Sequence, residues 1–456
     1  MRPLPDRKEW LRDVPFWIAA VLAGLASVGF ALLCKNTEDF ALRLLDRHPF
    51  EFFALSPIAF VAAWWTVWRF APEAKGSGIP QVMAAVELQA KDSPTGLTKE
   101  LLSLRTMATK ILSAFLCLLG GGAIGREGPT VQIAASIFTA IGNRTAKWNR
   151  VIRPEVWMVT GSAAGIAATF NTPLGGLVFA IEELTSTHFA SFRTSLITAV
   201  IISGVSAQWI LGTYLYLGYP NIPAIGAKTL LWAVGIGMIT GTGGSLFGRI
   251  LYRVTQIRKK IRSVRRLALV AFGAGLLVVL LGFFFDRRGL GGGRDVVIHL
   301  LFKKAPLPLV EGVKPGWTNA DFRLAISRFV TPIIAYASGA AGGIFAPSLG
   351  AGGALGSLIA DLFRPGLENL FVILGMIGFL TGVTHAPFTA FVLVLEMTDR
   401  HTAIMPMMVT ALIASVVAKW WHAHSFYERV KHDYIKASTP APVPPARTKP
   451  RVSPPT

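Results

Sequence analysis

Long apolar stretches without charged residues dominate the chain. Eleven of them contain no Asp, Glu, Lys or Arg: 16–34, 52–68, 111–125, 128–143, 156–181, 194–227, 229–248, 267–285, 329–360, 369–395 and 401–418. A helix needs about 20 residues to cross a hydrocarbon core roughly 30 Å thick, and several stretches reach that length. No series of short alternating segments typical of a transmembrane β-barrel occurs. The pattern predicts an all-α, multi-pass membrane protein.

Other apolar stretches are short or interrupted. The stretches 111–125 and 128–143 are separated by a Gly-Arg-Glu-Gly-Pro segment, and 156–181 and 329–360 contain internal Gly and Pro. In a polytopic protein, such segments predict broken or partially spanning helices. Their uncapped ends are expected to line a site inside the membrane rather than to face lipid.

The composition agrees with this prediction. Of the 456 residues, 52% are hydrophobic and 15% are charged, whereas an ordinary soluble domain has about 25% charged residues. Charge this sparse cannot cover the surface of a soluble protein of this size. A soluble globular protein and a disordered chain are therefore both excluded.

The net charge of +20 lies in short clusters between the apolar stretches. A basic balance is often typical of nucleic-acid binding, but clusters at 2–12, 253–266 and 431–451 follow the positive-inside pattern of membrane proteins. They predict cytoplasmic N- and C-termini and a partner that is membrane lipid rather than nucleic acid.

Residues 171–184 recur loosely as residues 385–398, with Pro and Glu at corresponding places. Coincidence between two apolar helices is the alternative to duplication. Duplication predicts two related halves of inverted topology with a site between them. We expect a basic cytoplasmic N-terminus at 1–15, membrane repeats at 16–225 and 226–430, and a Pro-rich, disordered cytoplasmic tail at 431–456.

Three glycine-bearing segments each end in Pro or shortly after it: Gly-Ser-Gly-Ile-Pro at 76–80, Gly-Arg-Glu-Gly-Pro-Thr at 125–130, and Gly-Gly-Ile-Phe-Ala-Pro at 342–347. Pro suits the first turn of a helix, where its missing N–H needs no partner. Free amides and the positive end of the helix dipole favour an anion. The segments predict an anion site, with ordinary loop-to-helix junctions as the alternative.

Glu127 lies at one of these predicted helix starts. Its ionised carboxylate can occupy the place of the anion, and protonation would release it, so one side chain would link anion and proton occupancy. Helix capping and pairing with adjacent Arg126 are the alternatives.

Further acids and one lysine lie near the apolar stretches. Glu182 and Glu183 end a long apolar run and are either functional intramembrane acids or solvated end charges. For Glu396 and Glu87, buried hydrogen bonding or a surface position is the simpler interpretation. Lys110 either raises the local positive potential or snorkels to the interface.

Other motifs indicate no further chemistry. Cys34 and Cys117 lie in apolar runs and suggest neither a disulfide framework nor a metal pair. The Gly-x-Gly-x-x-Gly match at 120–125 follows no strand, so close helix packing explains it better than nucleotide binding. We expect no metal, no cofactor and no enzymatic activity.

The three segments, in this order, resemble the signature motifs of the chloride channel (CLC) family of anion channels and anion/proton exchangers. The resemblance runs from about residue 15 to 430 and includes Leu-Val-Leu-Glu-Met-Thr-Asp at 393–399. It implies a homodimer in a bacterial inner membrane, with a separate pathway in each subunit. It also implies a short prokaryotic form without regulatory cystathionine-synthase-type domains.

The resemblance also implies roles for individual residues. The anion would be bound at Ser77, Gly78, Ile344, Phe345 and Tyr427, with the Ser77 hydroxyl and the amides of Ile344 and Phe345 as donors. Glu127 would be the gating glutamate and Glu183 the internal proton-transfer acid. The remaining selectivity-filter positions would be Gly76, Ile79, Pro80, Gly125, Arg126, Gly128, Pro129, Gly343, Ala346 and Pro347.

Both family acids are present, and this favours a chloride/proton antiporter over the alternative, a passive voltage- or pH-gated chloride channel. Ser77 instead of Pro disfavours the nitrate type, and the intact Gly-Ser-Gly-Ile-Pro disfavours a fluoride exporter. A membrane-embedded enzyme or scaffold lacks support from any nucleophile–base or metal constellation. The chain departs from the family at Gln81 and Met83, where relatives commonly carry acids, so a nearby salt bridge is expected to be missing.

Overall fold

The computed structural model describes residues 7–91, 96–146, 152–184, 193–212, 215–222, 226–302, 322–363 and 366–438. The α-helices in chain order are α1 (Arg7–Arg47), α2 (Pro49–Phe70), α3 (Ile79–Ala90), α4 (Gly96–Leu101), α5 (Leu104–Leu119), α6 (Glu127–Thr145), α7 (Pro154–Phe170), α8 (Pro173–Phe179), α9 (Arg193–Leu211), α10 (Ala227–Lys259), α11 (Val264–Leu280), α12 (Arg294–Leu301), α13 (Phe322–Ala337), α14 (Phe345–Phe363), α15 (Glu368–Thr384), α16 (Pro387–Thr398), α17 (Ile404–Trp421) and α18 (Phe426–Ser438). The predicted all-helical membrane fold is confirmed.

Helices long enough to cross a membrane surround a core of buried ones. Within the described ranges, six helical segments have the required length and apolar character: Asp13–Arg47, Pro49–Phe70, Thr194–Leu211, Lys228–Lys259, Val264–Phe285 and His401–Trp421. They expose large apolar side chains such as Leu231 and Trp420, as expected for surfaces in contact with lipid. In contrast, α15 is buried from Leu370 to Thr384, so its continuous apolar sequence reflects the protein core.

The two halves of the chain pack in corresponding ways. In the first half α1 contacts α6, α7 and α9, and in the second half α10 contacts α14, α15 and α17. The pair α6 and α7 corresponds to α14 and α15, and α8 packs on α7 as α16 packs on α15. The two halves thus repeat one arrangement of helices.

The helices break where glycine and proline interrupt the apolar stretches. α7 ends at Asn171 and α15 at His385, both in the left-handed conformation with φ of 56° and 62°. A proline then starts the next helix in each half, namely Pro173 and Pro387. Proline fixes the backbone for a first helical turn and needs no hydrogen-bond acceptor there. The breaks fall at equivalent places in the two predicted repeat copies.

Each repeat copy caps the helix of the other. Glu396, near the end of α16, accepts hydrogen bonds from the amides of Leu174 (3.0 Å) and Gly175 (2.6 Å) at the start of α8. Glu182, just after α8, accepts from the amides of Phe388 (3.2 Å) and Thr389 (2.7 Å) at the start of α16. The interpretation of Glu396 as a hydrogen-bonded residue is confirmed. Glu182 has the same capping role, so its carboxylate is a helix cap rather than a solvated end charge.

The boundary of the predicted C-terminal tail is wrong. Residues 431–438 were expected to be disordered, but α18 continues to Ser438 and buries Tyr434. Apolar side chains at Val430 and Tyr434 lie one helical turn apart, which gives this helix a buried face. Residues 1–6 and 439–456, which hold much of the predicted cytoplasmic ends, lie outside the described residues.

We predict that Glu182→Ala and Glu396→Ala destabilise the protein to a similar extent, by about 1–3 kcal/mol each, because each removes a charged acceptor from two helix-start amides. Thermal unfolding in detergent, followed by tryptophan fluorescence, would measure the change. Glu51→Ala is the control, since the Glu51 side chain is 69% exposed. Unchanged unfolding temperatures in both variants would contradict the capping role.

Candidate anion and proton site

Three helix starts meet at one place because their preceding loops are joined by main-chain hydrogen bonds. The amide of Gly76 donates to Ala340 O (3.0 Å), and the amide of Gly342 donates to Gly76 O (3.0 Å). Gly125 and Gly343 exchange two hydrogen bonds, each of 2.7 Å. These bridges fix the N-termini of α3, α6 and α14 beside one another. The positive ends of three helix dipoles therefore converge.

Close approach of these helix starts requires glycine. A Cβ at Gly128 would lie 2.7 Å from Ser77 O and nearer still to Ser77 Oγ. A Cβ at Gly78 would lie 2.5 Å from Gly128 O, and Gly78 also has a φ of +111°. Larger residues at either position would push α3 and α6 apart. The glycines of the sequence motifs thus allow direct contact between two of the three segments.

Two buried hydroxyls at this junction lack a hydrogen-bond partner. Ser77 and Tyr427 are each 1% exposed, and Ser77 Oγ and Tyr427 OH have no acceptor or donor in the described structure. Tyr427 extends from α18 toward Ser77, so that the two hydroxyls lie beside each other. An unpaired buried hydroxyl costs about 1–3 kcal/mol. A small anion between them would accept from both, so the arrangement suits a bound anion.

Glu127 occupies the amide end of another helix. It is the first residue of α6 and is 1% exposed. Its Oε2 accepts a hydrogen bond from the amide of Ala346 on α14 (3.3 Å), whereas Oε1 is buried without a partner. The carboxylate therefore lies at the helix end where an anion is expected. Glu127 therefore does cap a helix, but that helix is α14, in the other half of the chain.

Arg126 makes contacts with other parts of the protein. Its guanidinium donates to Ala31 O (2.9 Å) on α1 and lies 5.6 Å from the ring centroid of Tyr216. The positive charge next to Glu127 is thus held against α1 and an aromatic ring.

Glu183 lies outside the junction of the three helix starts. It belongs to a π-helical turn, Ala180–Leu184, that packs against α3 and α7. Glu428 and Lys431 of α18 are within electrostatic range of its carboxylate. Tyr427 is within electrostatic range of both Glu127 and Glu183. The structure thus places the two acids on separate elements, with Tyr427 as a shared neighbour.

Lys110 shows that the snorkelling interpretation is wrong. The side chain is fully buried, and Nζ donates to Gly76 O (2.9 Å). On the same helix, α5, Ser113 Oγ accepts from the amide of Ala341 (3.0 Å). Ser113 is not recognisable from the sequence, since a serine in an apolar helix gives no distinctive signal. Both residues of α5 brace the loops that carry the motifs.

Gln81 replaces the expected acid with a neutral hydrogen-bonded link. Its Oε1 accepts from the amide of Gly78 (3.1 Å), and its Nε2 donates to Lys75 O (2.6 Å). This is one half of a capping box at the start of α3: the Gln81 side chain accepts from the N-cap amide, and Gly78 has no side chain to cap in return. The amide side chain supplies a donor and an acceptor at once, so the loop is held without a salt bridge at this position.

Comparison with known proteins identifies the family. The family model for voltage gated chloride channels matches residues 58–419. The chain belongs to the voltage gated chloride channel family. This family assignment agrees with the three motifs that meet in the structure.

Individual members of the chloride channel family are similar over nearly the full chain. The H(+)/Cl(-) exchange transporter ClcA of Klebsiella pneumoniae subsp. pneumoniae is 30% identical, over 94% of this chain and 90% of its own length. The ClcA exchanger of Salmonella arizonae is 28% identical, over 91% of this chain and 86% of its own length. The crystal structure of a slow cyanobacterial Cl-/H+ antiporter superposes with a TM-score of 0.79 at 24% identity, covering 93% of this chain and 98% of that one. At that identity the structure supports the fold.

We predict that Gly128→Ala weakens chloride binding at the junction about tenfold or more, because the added methyl group overlaps Ser77 and overpacking costs roughly 1–3 kcal/mol. Isothermal titration of the detergent-solubilised protein with chloride would measure the affinity. Gly235→Ala is the matched control, since a Cβ there meets no atom within 4 Å. Equal chloride affinity in both variants would contradict the predicted position of the site.

Proposed function

We propose that the protein is a chloride/proton antiporter and has no enzymatic activity. The observation that carries the proposal is the hydrogen bond between the Glu127 carboxylate and the amide of Ala346. An acidic side chain thus holds a main-chain donor at the convergence of three helix starts. The exchange activity named for the ClcA relatives supports the same function.

The anion site would hold chloride with partial charges. Its donors would be the Ser77 and Tyr427 hydroxyls, with the Ile344 and Phe345 amides contributing at the start of α14. The Gly78 amide, which the sequence also offers as a donor, is already bonded to Gln81 Oε1. Lys110 donates to Gly76 O, so its charge is bonded to the loop before α3. Amides and hydroxyls bind an anion firmly enough for selection and weakly enough for release, which transport requires.

Glu127 would couple the two ions by competing with chloride. When ionised, its carboxylate binds the Ala346 amide and excludes the anion from that end of the pathway. When it takes up a proton, the carboxyl group loses its charge and leaves the amide to chloride. Return of chloride to the amide then requires a neutral Glu127, and departure of the proton requires the anion to leave. Exchange results when the proton leaves Glu127 toward one side of the membrane and chloride leaves toward the other.

Glu183 and Tyr427 would complete the route on the other side. Glu183, in the turn after α8, lies near Glu428 and Lys431 of α18. The same part of α18 carries Tyr427, which extends toward the anion site. The partial exposure of Glu183 allows contact with water. We propose that Glu183 passes protons between the solvent and the interior, while Tyr427 holds the anion.

The proposed orientation places both termini in the cytoplasm of a bacterial cell, with the protein in the inner membrane. The basic segment between α10 and α11 and the basic residues of α18 support this orientation by the positive-inside rule. Glu183, near α18, then faces the cytoplasm.

We also propose that the protein is a homodimer that associates through α8, α9, α16 and α17. These helices pack side by side and expose a set of apolar side chains: Leu174, Ile181, Ile197, Ile201, Val205, Phe388, Met405, Leu412 and Val416. The helix α8 has only 7 residues and α16 has 12, too short to span a membrane. Their capping carboxylates would be costly in lipid. A second copy would cover them with protein.

We predict that Glu127→Gln abolishes proton coupling and retains chloride flux, because the amide side chain cannot release a proton. Glu183→Gln should lower proton flux selectively. In reconstituted vesicles, an imposed chloride gradient would drive uphill proton movement, read with a pH electrode, and chloride efflux would be measured in parallel. Glu51→Gln, an exposed acid at the start of α2, is the control.

Two outcomes of this experiment would contradict different statements. Chloride flux without uphill proton movement in the unaltered protein would contradict the antiporter function and indicate a passive chloride channel. Normal coupling in both Glu127→Gln and Glu183→Gln would contradict the roles assigned to these acids.

For the dimer, we predict that Leu412→Trp shifts the protein in detergent from dimer toward monomer, because the larger ring prevents close packing of α17 across the interface. Light scattering would give the mass of the protein component. Leu277→Trp, at a 51% exposed position of α11, is the matched control. A monomeric unaltered protein, or equal masses in all three proteins, would contradict the proposed interface.

A further inference from the structure

A small cavity adjoins Glu127 near the C-terminal end of α1. It has a volume of about 40 Å³ and is lined by residues of α1, the start of α6 and the loop before α12. A single water needs about 10–15 Å³ of such space and two to four polar partners. The cavity therefore has room for two or three waters beside Glu127, between α1 and the start of α6.

A second carboxylate, Glu38, lines the same cavity. It extends from α1 one helical turn beyond Cys34, and this buried cysteine is within electrostatic range of both Glu38 and Glu127. Oε1 of Glu38 accepts a hydrogen bond from the amide of Gly292 (3.0 Å). Gly291, with a φ of +66°, leaves no room for a Cβ beside this carboxylate. The side chain is thus held in a fixed position at the cavity wall.

Charges of both signs surround Glu38 on every element that packs against it. They are Lys35, Asp39, Arg126, Arg294, Asp295 and Arg328. Asp295 lies 3.7 Å from Arg294 and is 37% exposed. Among the cavity's acids in the described part of the chain, Glu38 is bonded to the loop before α12, through the amide of Gly292.

We propose that Glu38 is a proton-transfer residue for Glu127 on the outer side of the membrane. A proton leaves the Glu38 carboxyl group for a cavity water, and that water passes a proton to the Glu127 carboxylate. The reverse sequence releases the proton from Glu127 to the outside. After each forward transfer, Glu38 takes up a new proton from the outside solution. Each step moves one proton between oxygen atoms and needs no other reactant. The inference rests on the proposed antiporter function and adds the residue through which Glu127 exchanges protons with the outside.

A purely structural role for Glu38 makes a different prediction. The carboxylate caps the loop at Gly292, so its loss would also disturb the mouth of the anion pathway. Glu38→Gln retains an acceptor for the Gly292 amide and nearly the same shape, but it has no carboxyl proton to transfer. The variant thereby separates proton transfer from loop support.

The decisive experiment measures both ions in two backgrounds. In reconstituted vesicles, Glu38→Gln alone should slow chloride/proton exchange about tenfold. This is less than the roughly 10²- to 10⁴-fold effect of a positioned acid, because water supplies a slower direct route. Both fluxes should fall together, since each turnover needs the proton. In the Glu127→Gln background, chloride moves without protons, so adding Glu38→Gln should leave chloride flux unchanged.

Each further result supports or contradicts the inference. An equal fall of chloride flux in the Glu127→Gln background would show loop support and overturn proton transfer. Normal exchange in Glu38→Gln would overturn it as well. Glu38→Asp retains a transferable proton and should exchange faster than Glu38→Gln; the reverse order contradicts the proposal. Glu51→Gln, which alters an exposed acid at the start of α2, should behave like the unaltered protein.

The failure of this inference is distinguishable from failure of the proposed function. If the unaltered protein shows no uphill proton movement, the antiporter function fails. If it exchanges normally and Glu38→Gln does too, only the role of Glu38 fails. The chloride flux of the double variant also reports whether Glu38→Gln folds and inserts.

Discussion

Four main-chain hydrogen bonds between three glycine-rich segments position the rest of the site. They join Gly76 to Ala340 and Gly342, and Gly125 to Gly343. Inside a membrane, an unpaired main-chain group costs several kcal/mol, so broken helices are stable only where loops satisfy one another. The same bonds that permit the breaks therefore bring three helix dipoles to one point. Anion affinity follows from the way in which the fold meets the hydrogen-bonding requirement of its own backbone.

A second pair of contacts solves the same problem elsewhere. Glu182 and Glu396 cap the short helices of the opposite repeat, and each supplies a charge to amides that lack partners. Glu127 uses similar chemistry at α14, but only one of its oxygens has a partner. A fully satisfied carboxylate fixes a structure, whereas a partly satisfied one can leave its position. This difference separates the structural acids from the acid to which we assign coupling.

The motifs are recognisable in the sequence because their chemistry is local. Gly, Pro and an acid beside a predicted helix start are visible within a few neighbouring residues. The three segments, Glu127 and the repeat could therefore be recognised without knowledge of the fold. Lys110 and Ser113 were not understood from sequence, since a polar residue within an apolar helix does not reveal which distant carbonyl or amide it contacts. The predicted start of the C-terminal tail was placed too early because the buried face of α18 depends on the packing of this helix against α3.

The sequence alone determined the membrane class, the breaks in the helices and the residue types of the site, because hydropathy and backbone preferences act over a few neighbouring residues. The tertiary structure alone decided which helix Glu127 caps, which amides Glu182 and Glu396 satisfy, and that Glu38 shares a cavity with Glu127. These pairings join residues from distant parts of the chain. Their partners are selected by packing and by the exclusion of water, and neither leaves a pattern along the sequence.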